Sequence, residues 1–329
     1  MLRRRATAPA IRLPWLRQLD YLPPWLAVGL GLGAGVALGV VLTAEASITG
    51  AVLFITVVGL AAVLAFSGEP VAVLEPVAKP ESVPPLKRIV PPEDWVRIPA
   101  GTFRMGSPDD EEGRYPDEGP VHEVSVSAFE CLRTPVPRRL YLKVMGEDPG
   151  SPQGDADERL VNNVSWFDAL KFCNRLSAEE GRTPCYQIGD GDEVSWDRAA
   201  DGYRLLTEAE WEYACRAGSR TRWFFGDEED ELGEYAWFGA NSKNEPQPVG
   251  RKKPNAWGLY DMHGNVYEWC WDRFGPKEPQ VDPPGSDEWP VVREGAFWDE
   301  PRNLRSGYRI RFQPEMRVRL LGFRCARRE

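Results

Sequence analysis

The sequence predicts an α+β fold of low regular content, and three observations carry that reading. Thirty prolines and 31 glycines in 329 residues punctuate the chain with turns and leave room for few long elements. Thirteen tryptophans suit an irregular core filled by large rings. Short runs of alternating apolar and polar residues stand beside two amphipathic stretches opened by helix caps. The formal net charge of −10 argues against a nucleic-acid partner. The six cysteines form no CxxC pair, and with only His122 and His263 present a histidine-rich metal site is excluded.

Residues 1–23 carry Arg3, Arg4, Arg5, Arg12 and Arg17. Two uncharged apolar runs follow, about 24–43 and 48–66, separated by a segment whose one charge is Glu45. Each run is long enough to cross a hydrocarbon core of roughly 30 Å as a helix. The short connection predicts a two-helix transmembrane hairpin with both ends on one side, and the arginine cluster places that side in the cytoplasm. The expected location is therefore a bacterial-type inner membrane, with the large C-terminal domain facing the cytoplasm. A cleaved signal peptide is the competing reading, against which stands the second apolar run. Ala27, Gly31, Gly35 and Gly39 share one helix face, where the second helix or a second copy can approach closely. Residues 67–92 hold seven prolines, Pro70, Pro76, Pro80, Pro84, Pro85, Pro91 and Pro92, and read as a semi-rigid spacer.

The domain expected over 93–329 opens with a strand at Trp95–Ile98, a turn at Pro99-Ala100-Gly101 and a second strand from Thr102. Asp109 to Glu118 reads as an acidic, solvated loop, and Val121 to Phe129 as one further strand. Ser165 with Asp168 three residues on is a helix start, and Trp166, Leu170, Cys173 and Leu176 fall on one face behind it. Thr207 with Glu210 opens a second helix carrying Trp211, Ala214 and Cys215, which Gly218 ends. Both cysteines sit among apolar residues and read as buried thiols. The stretch Gly258–Asp272, GLYDMHGNVYEWCWD, gathers Tyr267, Trp269 and Trp271 around Asp261, Asn265 and Glu268. His263-Gly264-Asn265 reads as a tight turn needing positive φ. Two readings of its oxygens stand: a hard-donor calcium site, or a hydrogen-bonded turn with Glu268 tied to a buried arginine.

That stretch resembles the core motif of the formylglycine-generating enzyme family, the sulfatase-modifying factors. Further blocks agree in family order: Trp95–Ser107, Pro120–Phe129, Val161–Ser177, Tyr203–Gly218, Pro248–Met262 and Arg293–Ala326. The resemblance covers roughly residues 93–329 and implies a fold related to the C-type lectins. It implies two calcium sites, one near Asn241 and one on Asn265, the Val266 backbone and Glu268. It also implies a copper site on two cysteines just after an arginine-glycine-glycine-serine block. Here that block reads Arg293-Glu294-Gly295-Ala296, and the cysteine positions are Asp299 and Leu304. Carboxylate and leucine cannot replace thiolates on Cu(I), so copper and the oxidase activity are not expected.

What the family builds at this place is a substrate groove. Trp298, Asp299, Glu300, Arg302, Arg305, Tyr308, Arg309, Phe312 and Gln313 fall there, and aromatics with arginine dominate recognition surfaces. Trp298 and Tyr308 read as exposed, whereas Arg305, Arg309, Arg311 and Arg324 have core carboxylates as alternative partners. The segment also resembles the variable region of retroelement-diversified ligand-binding proteins. Trp298, Glu300, Gln313 and Met316 are not reachable from an asparagine-type codon by adenine mutagenesis, which leaves a fixed surface. The sequence reading is a membrane-anchored, catalytically inactive member of the family that binds a peptide or protein ligand. A formylglycine-generating oxidoreductase and a structural adaptor of a membrane complex are the alternatives.

Overall fold

The computed structural model describes residues 88–150, 158–189, 193–275 and 289–329. The expected transmembrane hairpin and nearly all of the expected spacer lie outside them. Among the described residues no helix is long and apolar enough to cross a membrane. They belong to one of the chain's two compact units, Glu81–Glu329.

Among the described residues two four-stranded sheets and two ribbons make up the β-structure. The first sheet orders β1 (Trp95–Ile98), β4 (Phe129–Leu132), β12 (Cys325–Arg328) and β7 (Tyr203–Leu205), with every pairing antiparallel. The second orders β10 (Arg309–Arg311), β9 (Pro290–Arg293), β8 (Tyr267–Arg273) and β11 (Leu321–Phe323), and β11 runs parallel to β8. The ribbons are β2 (Gly101–Met105) with β3 (His122–Val126), and β5 (Tyr186–Ile188) with β6 (Val194–Trp196). The run expected as one strand from Val121 to Phe129 is thus two strands, β3 and β4. Its alternation breaks at Ser127-Ala128, and the chain passes from the ribbon into the first sheet.

Among the described residues three helices carry most of the helical content: α1 (Arg138–Met145), α2 (Trp166–Glu179) and α3 (Glu208–Arg216). A single turn, α4, spans Leu232–Tyr235. Both expected capping boxes form: Ser165 with Asp168 at α2 and Thr207 with Glu210 at α3. Each pair satisfies two otherwise orphaned backbone donors. Ala217 and Gly218, both at positive φ, end α3 as the sequence suggested.

The period-2 geometry of β8 explains its density of aromatics. Tyr267, Trp269 and Trp271 enter one core cluster together with Trp166, Phe172 and Phe323. Cys270 points the other way, into a second cluster with Trp211, Leu259 and Val291. A strand buried on both faces needs large side chains on each. Indole N–H groups anchor the packing: Trp269 donates to the Val164 carbonyl and Trp166 to the Cys270 carbonyl, each at 2.9 Å.

Candidate functional site

The turn that feeds β8 is built by close backbone approach. Gly264 has φ +80, and a Cβ there would stand 2.2 Å from the Trp237 carbonyl oxygen. Asn265 follows at φ 74, with its N–H donating to that same carbonyl at 2.7 Å. Its carboxamide is used twice by one neighbour: Oδ1 accepts from the Gln247 N–H at 2.9 Å and Nδ2 donates to the Gln247 carbonyl at 3.2 Å. Glu268 is fully buried and accepts from Trp211 Nε1 at 2.9 Å and from Arg324 Nη2 at 2.9 Å. Arg324 also donates to the carbonyls of Leu132, Arg133, Tyr260 and Asp261.

Of the two readings of this turn, the tied arginine is the one the geometry shows. The residues implied as calcium ligands do not fit the ion as arranged. Arg324 neutralises Glu268, and Gln247 takes the Asn265 side chain. Asn241 caps its own turn, accepting from the Phe238 N–H and donating to the Ala236 carbonyl, each at 2.9 Å. Among the described residues no group of three or more His, Cys, Asp or Glu side chains is placed to hold a metal. Asp261 sits beside the knot, 2 % exposed. Burial pushes its carboxyl up to about 6 against the Gly250 N–H it accepts.

Several residues expected on a binding surface are structural. Arg305 is fully buried and pairs with Glu111 at 2.7 Å and Glu118 at 2.5 Å. That pairing also corrects the acidic loop, whose Glu118 is interior rather than solvated. Arg309 is buried against Glu208, which it meets through Nε and Nη2 at 2.7 Å each. Arg293 bridges Glu208 and Glu212 at 2.9 and 2.8 Å. Tyr308, expected outside, is buried beside Tyr267, and its ring packs at a tilt 5.7 Å from that of Tyr115. Phe312 is half-buried against Tyr267 and Trp269. Arginines in a chain rich in carboxylates find bidentate partners inside, and that contest was open in the sequence.

What remains outside is a short, rigidly held loop. Asp299 Oδ2 accepts from the Ala296 N–H at 2.6 Å, and Oδ1 accepts from Asn303 Nδ2 at 3.3 Å. Tyr115 then donates to Asn303 Oδ1 at 3.2 Å. The Gly239 N–H donates to the Asp299 carbonyl at 3.0 Å, and Phe297 donates to the Asn265 carbonyl at 2.8 Å. Burial, then the neighbouring Tyr308 and Asp299, push the Tyr267 phenol far above its ordinary value. It is a neutral donor in this network. On top of it stands Trp298, 58 % exposed. Arg302 and Glu300, further along the same loop, make a loose, exposed 3.5 Å pair. Leu304, four residues beyond Glu300, is fully buried.

Comparison with known proteins places this arrangement. The profile of the sulfatase-modifying factor enzyme 1-like domain matches residues 80–329. The chain belongs to that family. Among relatives, it is 29% identical to the chaperone protein LppX of Paenibacillus barcinonensis, over 67% of this chain and 84% of the relative. It is 32% identical to a formylglycine-generating enzyme of Mycobacterium tuberculosis, over 59% of this chain and 78% of that one. Among solved structures, Treponema denticola variable protein 1 superimposes with a TM-score of 0.63 at 32% identity. That match covers 71% of this chain and 95% of that protein. PvdO from Pseudomonas aeruginosa gives 0.59 at 32% identity, covering 71% and 94%.

Three features of this family member were not foreseen. Glu294 occupies a backbone position at φ 71, is fully buried, and has no partner for either carboxylate oxygen. Its signal in the sequence was a glutamate in a block where the resemblance has glycine. The buried Glu208–Arg293–Glu212 bridge gave no signal, because nothing local distinguishes a core carboxylate from a surface one. Cys173 and Cys325 bring their sulfurs to 3.7 Å across α2 and β12, a juxtaposition that only the tertiary fold creates.

Proposed function

We propose that this chain is a membrane-tethered recognition module of the sulfatase-modifying factor family, without the family's oxidase chemistry. The observation that carries the reading is what stands at the positions assigned by resemblance to the copper thiolates. Asp299 is locked by the Ala296 N–H, Asn303 and Tyr267, and Leu304 is closed into the core. Neither offers a soft ligand for Cu(I). The network that holds Asp299 instead stiffens the loop that presents Trp298, and a rigid exposed aromatic is a good recognition anchor. The ligand class this surface fits is a peptide or protein segment. The tether belongs to the reading through the apolar runs of residues 24–66 and the arginines that precede them.

A second reading keeps enzyme chemistry and rests on the Cys173–Cys325 pair. It meets an obstacle in burial, which pushes the Cys173 thiol well above its ordinary value and closes both sulfurs from any substrate. One experiment separates the readings: Cu(I) titration of the purified protein, followed by an oxidation assay on a sulfatase-type cysteine peptide. The recognition module is expected to show neither stoichiometric Cu(I) binding nor turnover. Tight copper with turnover, both lost in Cys325→Ser, would establish the oxidoreductase instead. Calcium is tested alongside: addition of Ca²⁺ or of a chelator is expected to leave the melting temperature unchanged. Alkaline extraction of cell membranes tests the tether, and release of the protein into the supernatant would refute it.

A further inference from the structure

A cleft of about 220 Å³ opens at the edge of the first sheet, where the described chain begins. Its apolar wall is made by Ile89, Val90, Leu132, Leu140 and Val249. The N–H groups of Ile89 and Val90 are turned away and spent on Glu180, at 2.7 and 3.1 Å. The wall therefore presents hydrocarbon and no free backbone donors from that strap. Cavities of about 150 Å³ with such walls accept a benzene-sized apolar molecule, so this one has room for part of an alkyl chain.

The rim has a different chemistry. Arg133, Arg139 and Lys143 line it, against the one carboxylate of Asp94. Elsewhere in this domain buried arginines meet carboxylates at 2.5 to 2.9 Å; among the described residues these three rim cations are held more loosely. Arg133 donates to the Glu93 carbonyl at 3.0 Å and Lys143 to the Ile89 carbonyl at 3.2 Å. Arg139 meets Glu158 at 3.7 Å, with both side chains about half exposed at 52% and 57%. Arg139 and Lys143 lie four residues apart on α1 and so share a face. Apolar walls with a few convergent charged groups are the usual make-up of a small-ligand site.

We propose that this cleft binds an amphiphilic anion: an alkyl chain laid along Ile89, Leu132, Leu140 and Val249, with a singly charged oxyacid head held by Arg139, Lys143 and Arg133. A fatty acid and an anionic phospholipid share that chemistry. The site is separate from the Trp298 loop and does not depend on the reading given to it.

The test is photolabelling of the full-length protein in nanodiscs of zwitterionic lipid. One arm uses a diazirine-bearing decanoate, the other an anionic phospholipid carrying the diazirine in its chain. Labelled peptides are mapped by mass spectrometry. Label is expected on the segments containing Leu132, Leu140 and Val249, competed by unlabelled decanoate in the first arm. Labelling by one probe alone assigns the source. The surface variant Arg139→Glu/Lys143→Glu is expected to reduce label at least tenfold while the melting temperature holds. Leu140→Trp, which fills the cleft, is expected to abolish it. A trimethylammonium probe of equal chain length is expected to label these segments at least tenfold less. Equal labelling by anionic and cationic probes, or label indifferent to the charge-reversed variant, overturns the proposal. So does labelling that appears only when residues 81–87 are deleted, since the chain's own segment would then hold the cleft.

Discussion

Two glutamates in neighbouring parts of the interior meet opposite fates. Glu268 is fully buried and answered by Arg324 and the Trp211 indole. Glu294 is equally buried, carries a left-handed backbone at φ 71, and has nothing on either oxygen. Burial first, then the charge of Glu268, push the Glu294 carboxyl well above the ordinary carboxylate range. Burial without a donor disfavours its charged form. The comparison teaches that burial alone does not set the cost of a charge; the donors waiting for it do.

The comparison breaks most sharply at Arg324. Arg324→Met removes the partner of Glu268 and leaves four backbone carbonyls without their donor. A loss of about 3–5 kcal/mol of stability is expected, because the remaining carboxylate is buried and unpaired. Urea denaturation reads it directly. Adding Glu268→Gln to that variant should recover part of the loss, since a neutral amide costs less to bury than an orphaned charge. A double variant no more stable than the single one would show that Glu268 was not what Arg324 served.

A titration sharpens the same contrast. His263 is 1 % exposed, and its Nε2 accepts from the Phe224 N–H at 3.1 Å. Burial depresses it to about 3, so the folded domain holds it neutral. A depressed folded value means stability that is whole above the unfolded value of about 6.5 and is lost as pH falls toward the folded one. The loss over that window is on the order of 5 kcal/mol. Asp261, whose carboxyl is pushed up to about 6, works in the opposite direction over part of it. The wild type must therefore be compared with His263→Gln. The variant is expected to lose about one proton's worth of slope in its stability–pH curve between those limits. An unchanged slope would mean the imidazole titrates normally.

Glu294→Gly is expected to stabilise by about 1–3 kcal/mol, by relieving the left-handed backbone and removing the unpaired carboxyl. The sign of its pH dependence follows from the raised value. A raised carboxyl contributes its full stability below the unfolded value and loses it as pH climbs through the folded one. The advantage of the variant should accordingly be larger at pH 8 than at pH 4.5. A destabilised variant would mean that the glutamate stem fills space the core needs.

Local chemistry was legible in the sequence, and pairing was not. Both capping boxes, the β8 aromatics, the turn at His263-Gly264-Asn265 and the opening strand stand where spacing put them, because each is decided within a few residues. Tyr308 reads as exposed and lies inside, and Arg305 and Arg309, open between a surface and core carboxylates, are settled by Glu118 and Glu208, some 187 and 101 residues away in the chain. Trp298 was placed on the surface and is there. With Phe297 turned into the core on one side and Asp299 capping the Ala296 N–H on the other, the indole between them is left outside.

The smallest expected effect on stability falls at that tryptophan. Trp298 is 58 % exposed, so Trp298→Ala should change unfolding free energy by no more than about 0.5 kcal/mol. Asp299→Ala, by contrast, unpicks the Ala296 and Asn303 bonds beneath the loop and should cost about 1–3 kcal/mol, the penalty for unmade buried hydrogen bonds. If the loop is a recognition surface, both variants lose the same binding partners in quantitative affinity purification of the full-length protein, although only one of them is destabilised. Trp298→Phe should retain them in part. Loss of partners in Asp299→Ala alone would locate recognition in the network beneath the loop rather than in the exposed ring, and the indole would then be only the cover of a structural turn.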